Sequence, residues 1–160
     1  MATELFITQW FSQDMLTAGK NLIHCLDSCD AKVQAAFWLL ESNEDAWKFM
    51  IVSPLVESQG ARSYYKRIND INEAVNPEDP VLSLHDIYAA DTHNRFFKAF
   101  LSIKDTGLWK EAAWLNTRLG KNYIGGVYFE DMYIYRMAWE LHESTLLSMI
   151  TEKTPPQLSV

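Results

Sequence analysis

The chain has 160 residues, 48% hydrophobic and 13% aromatic, with six Trp, seven Tyr and eight Phe; that is enough apolar surface for one packed core and too much for a disordered chain. A net charge of −7 repels nucleic acid and anionic lipid, except where positive charge is gathered locally. Two cysteines exclude a disulfide framework, and no apolar run approaches the roughly 20 residues of a membrane span.

The N-terminal MATELFITQWFSQD lacks the basic start and long apolar run of a signal peptide, so a cytoplasmic chain without membrane contact is expected. Phe11, Met15, Ala18, Leu22, Cys25 and Cys29 then recur at steps of three and four, the period of an amphipathic helix, with Ser12 or Asp14 as its cap. Both cysteines fall on its apolar side and read as buried thiols, since a zinc site needs two further ligands that are missing. KVQAAFWLL and AWKFMIV, separated by the turn-forming ESNED, predict a β-hairpin. Both runs are continuously apolar, so these strands should be covered on both faces.

Pro54 ends the second strand, and Glu57, Ser58, Gln59 and Gly60 read as a loop. ARSYYKRINDINEAV places Tyr64, Ile68, Ile71 and Val75 on one helical face, and NPEDP stops it. VLSLHDIYAAD reads as a strand. Asp91 or Thr92 then caps a helix with Phe96, Phe97, Phe100 and Leu101 as its core stripe, ending near Thr106 and Gly107. LWKEAAWLNTRLG leans toward a short helix, Gly125 and Gly126 toward a turn, DMYIYRM toward a strand and MAWELHESTLLSMI toward a last helix. The expected architecture is a single α+β domain over residues 1–150, with a mostly antiparallel or mixed sheet, a central hairpin and about four to five packed helices. TEKTPPQLSV, residues 151–160, reads as a flexible tail.

Phosphate-loop chemistry fails on residue type. Gly120 and Gly125 have the P-loop separation, but Gly126 and Val127 stand where Lys and Ser or Thr are needed to reach phosphate and magnesium. His142-Glu143 begins an apparent zincin motif, and Leu146 occupies the place of its second histidine. No cofactor or resident metal is expected, and no nucleophile motif supports covalent catalysis. The best polar cluster is His85, Asp86, Asp91 and His93, around a hinge between a strand and a helix; joined by Glu130 or Asp131 from elsewhere, it is the basis of an alternative reading as a metal-dependent hydrolase or nuclease. Glu130 and Asp131 are neighbours on an extended strand, so they point to opposite faces and could not share one ion.

Charge and aromatic rings coincide at one place. Between residues 107 and 129, Lys110, Arg118 and Lys121 outweigh Glu111, and Trp109, Trp114, Tyr123 and Tyr128 are interleaved with them. Rings stack on unpaired bases while Lys and Arg meet phosphates, which gives a second alternative, a single-stranded nucleic-acid accessory protein. Three bases supply a small electrostatic term against an acidic chain. Trp, Tyr and Arg are also the usual anchors of protein interfaces. The leading expectation is therefore a non-catalytic accessory protein that binds a protein partner, or a second copy of itself, through an aromatic-rich surface.

Overall fold

Two strands that read as unbroken apolar runs prove to alternate strictly between two cores. The computed structural model describes residues 3–109 and 111–139. β1 (Ala35–Leu40) and β2 (Lys48–Val52) are antiparallel, with Phe37 opposite Met50 and Trp38 opposite Phe49. Successive side chains leave a strand on opposite faces. Ala36 and Trp38 of β1, with Phe49 and Ile51 of β2, enter one core, while Ala35, Phe37, Leu39, Met50 and Val52 enter the other. Both faces are apolar because both are covered.

These strands lie inside a five-stranded sheet of order β3-β2-β1-β5-β4, completed by β3 (Ile87–Ala90), β4 (Thr117–Ile124) and β5 (Val127–Met137). β3 runs parallel to β2 and the other pairs are antiparallel, so the sheet is mixed and the fold is α+β. A parallel partner requires a crossover of about a dozen residues or more. Here it consists of α2 (Pro54–Gln59) and α3 (Ala61–Ala74), joined at Gly60, whose φ of +92° favours glycine. α2 occupies the stretch expected to be a loop. Ser53 caps it by accepting from the Leu55 amide, and Pro54 at the first helical position has no amide to leave unpaired.

α1 (Gln13–Ser28) starts where expected, because the Ser12 hydroxyl accepts from the Met15 amide. It ends one residue before Cys29, so Cys29 leaves the helical face and is exposed, while Cys25 is half-buried; the expectation of two buried thiols is corrected for Cys29. α1 and α3 cover the first face. α4 (Arg95–Leu101) lies on the second, capped by Asn94 rather than Asp91 or Thr92, its side chain accepting from the Phe96 and Phe97 amides.

The segment read as one short helix divides. Residues 111–114 form a single helical turn, α5 (Glu111–Trp114), and the chain then enters β4. Lys121 breaks the alternation of β4 with a φ of +49°, so that Leu119 and Ile124, of opposite parity, pack on the same core. Gly125 and Gly126 turn the chain with φ of +55° and +80°. A side chain at Gly125 would also drive its Cβ into the Ala99 carbonyl, so both space and backbone require glycine there. Among the described residues no helix is long and apolar enough to cross a membrane. The last predicted helix beyond Trp139, and the tail at residues 151–160, lie outside the described residues.

Candidate functional site

The six residues of the hydrolase reading are distributed by strand geometry. His85 and Asp86 belong to a 3-10 turn (Leu84–Asp86) that precedes β3, whereas Asp91 and His93 follow it. At about 3.3 Å per residue, the backbone of Asp86 is roughly 16 Å from that of Asp91. The Lys48 ammonium donates to the His85 carbonyl at 2.7 Å, and partial burial holds the Asp86 carboxyl above its ordinary value against the opposing charges of Lys48 and His85. Glu130 and Asp131 lie on β5, across β1 and β2 from that strand. Glu130 accepts from the Tyr128 hydroxyl at 2.8 Å, which raises the Tyr128 pKa. Asp131 holds Arg118 with three contacts of 2.7–3.2 Å.

Only Asp91 and His93 of the six come together, and they are joined by Glu57, which the sequence placed in a loop. The reason is the parallel pairing of β2 and β3. Val52 is level with Ala90, and the Ser53 amide donates to the Ala90 carbonyl at 2.9 Å, so the chain leaves both strands at the same end of the sheet. From one strand end comes α2 with Glu57; from the other come Asp91 and His93. His93 Nδ1 lies 3.7 Å from Glu57 Oε2 and 3.6 Å from Asp91 Oδ1. A recess of about 270 Å³ adjoins them, lined by Val56, Tyr88, Ala90, Asp91 and His93.

The aromatic and basic residues divide between the two faces of the sheet. Arg118 pairs diagonally across the strands with Asp131, and its guanidinium lies 5.3 Å from the Trp47 ring centroid and 5.6 Å from that of Phe11, both on the α1 side. The hydrogen bonds to Asp131 raise its pKa further. Arg118 is thus engaged on three sides. Trp109 and Trp114 lie on the opposite side, 5.1 Å apart edge to face, and both pack on Phe100. Lys110 lies outside the described residues.

At the β4–β5 turn the rings reach solvent. Tyr123 and Tyr128 face each other across the strands with centroids 4.9 Å apart. Tyr123 is 76% exposed, and so is 65% of Leu108, a residue that sequence reasoning passed over. Its place with Ala112, Leu115 and Leu119 on one helical period marked it as a packing residue rather than a contact one. Leu108 and Tyr123 border a recess of about 320 Å³, together with Ile103, Trp114, Leu119 and Ile124. Lys121 is exposed on the same strand.

No family model, curated protein or solved structure matches the chain, so this geometry stands by itself as evidence of function.

Proposed function

We propose that the chain is a non-catalytic partner-binding protein whose contact surface is the corner formed by Leu108, Trp114, Tyr123 and Tyr128. The observation that carries this reading is that two large apolar side chains, Leu108 and Tyr123, stand largely in water on the rim of an apolar recess. Exposed apolar anchors around a depression are the usual centre of a protein contact, with a polar rim supplying orientation. Asn122, which lines the recess, and Lys121, exposed beside it on β4, are the polar groups for such a rim.

The physics also selects the mode of contact. β4 is an edge strand, and an exposed edge invites pairing with another strand. The left-handed backbone at Lys121 interrupts the strand, and an exposed lysine on an edge strand disfavours pairing with another strand. Side-chain docking is therefore favoured over edge extension. The partner that fits is a protein segment with one apolar residue for the recess and a carboxylate for Lys121. Nucleic acid fits less well, since Asp131 already occupies Arg118.

The test is retention of a protein from native extract by the immobilised chain, compared with its Leu108→Asp and Tyr123→Asp variants and with Tyr88→Asp at the far edge. Loss of the bound protein with the first two, and retention with the third, is expected. Light scattering over a concentration series covers a second copy as the partner. A wild-type chain that stays monomeric and retains nothing, or corner variants that retain as much as wild type, overturns the reading.

A further inference from the structure

The opposite edge of the sheet carries a separate chemistry. Glu57, Asp91 and His93 each offer one donor atom, and the three atoms lie within 4.8 Å of one another. Ligands held at about 2.1 Å from one ion are about 3.4 Å apart in a tetrahedral arrangement and about 3.0 Å in an octahedral one. The two distances measured from His93 Nδ1, 3.6 and 3.7 Å, exceed the tetrahedral edge by a few tenths of an ångström. Glu57 and His93 are exposed side chains, free to close that gap by a small rotation.

We infer that Glu57, Asp91 and His93 form a binding site for a divalent transition-metal ion. Several features of the placement support it. The donors arrive from two separate chain segments brought together by the β2–β3 pairing, so the site is a product of the fold rather than of local sequence. The backbone amide of His93 donates to Asp91 Oδ1 at 2.8 Å, which fixes the carboxylate while leaving its second oxygen and a remaining lone pair for a ligand. The imidazole donor sets the class of ion. One nitrogen and two carboxylate oxygens suit zinc and its neighbours, whereas magnesium and calcium prefer oxygen ligands alone. Three protein ligands leave coordination positions over, and the recess beside Tyr88 and Ala90 gives them room for water or a small anionic ligand. The inference is independent of the partner contact at the other edge of the sheet.

The experiment uses the full chain after chelator treatment, titrated with zinc by calorimetry and followed by thermal melting, with magnesium in parallel. One zinc per chain is expected, with a midpoint rise of roughly 5–10 °C at a hundredfold excess over Kd. His93→Ala and Glu57→Gln should each weaken zinc binding about tenfold or more. Both positions are exposed, and the metal-free variants should melt within a degree or two of the parent. Cys29→Ser and His85→Ala, which remove other accessible zinc donors, should leave the titration unchanged. Absence of zinc binding, binding that survives both His93→Ala and Glu57→Gln, loss of binding in Cys29→Ser, or an equal response to magnesium each overturns the assignment.

Discussion

The two faces of this one sheet are stabilised in different ways. On the α1 and α3 side four of the large rings, Trp38, Trp47, Tyr64 and Tyr135, carry polar atoms that are hydrogen-bonded. Trp47 Nε1 donates to the Gln9 carbonyl at 2.9 Å, the Tyr64 hydroxyl to the Ala31 carbonyl at 3.0 Å, and the Tyr135 hydroxyl to the Leu16 carbonyl at 2.7 Å while accepting from Trp38 Nε1 at 3.1 Å. On the α4 side the buried rings are Phe37, Phe96, Phe97, Phe100 and Phe129, which carry no polar atoms, and they pack with three methionines and with aliphatic residues such as Leu39, Val52, Ile124 and Ile134. A buried phenol bonded to the main chain of a helix fixes the position of that helix, because moving it strands a donor and an acceptor. Phenyl and thioether groups set a volume and leave orientation freer. The bonded face is therefore the more specified one, and the apolar face depends on filling its space.

That contrast is tested most severely at Phe100. Its ring is fully buried and contacts five others, with Phe129 at 5.5 Å and Phe37, Trp109, Trp114 and Trp139 at 6.1–6.4 Å. Phe100→Ala removes the shared contact of all five and should cost about 3–5 kcal/mol, read as a lower urea midpoint with an unchanged slope. A cost near 1 kcal/mol would mean that the neighbouring rings collapse into the space, and that the apolar face is not volume-limited.

The next effect in size belongs to the bonded face alone. Burial pushes the Tyr64 pKa up to about 12, outweighing the opposing effects of the Ser53 hydroxyl and the charge of Arg67, and burial also raises Tyr135. For a phenol raised from its ordinary value near 10, the folded state keeps its full advantage below about pH 10 and loses it as pH climbs through about 12. The contribution at stake for Tyr64 is on the order of 2–3 kcal/mol. Chemical denaturation at stepped alkaline pH should show this fall, and Tyr64→Phe should flatten it. An equally steep fall in the variant would locate the alkaline sensitivity elsewhere.

Sequence period revealed one face better than the other. Ser12, the steps of three and four through α1, and the spacing of Tyr64 and Ile68 all announce helices, because one side of each is polar. β1 and β2 were legible as strands from length and flanking turn residues, although alternation was invisible in runs apolar at every position. β4 was missed since Lys121 shifts its phase midway, so neither period fits the whole segment. The strand Ile87–Ala90 was legible within VLSLHDIYAAD, but its parallel pairing with β2 was not, as nothing local distinguishes a parallel from an antiparallel edge in a strand as short as IYAA. The Glu57 group disappeared with it. Asp91 and His93 were singled out from their adjacency, whereas Glu57 lies 34 positions before Asp91 and joins them only through that pairing.

The smallest expected effect is also the sharpest probe of bonding against filling. Tyr135→Phe keeps the ring and deletes the hydroxyl, leaving the Leu16 carbonyl and the Trp38 indole without this partner; about 1–2 kcal/mol should be lost. The same hydroxyl explains a glycine inside α1. A Cβ placed on Gly19 would lie 2.6 Å from the Tyr135 oxygen, with Trp38 Nε1 and the ring carbon next at 3.0 and 3.1 Å. In the parent, Gly19→Ala must push that hydroxyl off its acceptor, and it should cost about 1–3 kcal/mol despite the better helix propensity of alanine. In the Tyr135→Phe background the worst contact is gone, and the roughly 1 kcal/mol of propensity is free to act, so the same change should be near neutral. The double-mutant cycle then gives a coupling of about 1 kcal/mol or more. Strict additivity would show that the hydroxyl does not seat α1, and that the two faces of the sheet differ in composition without differing in how they are held.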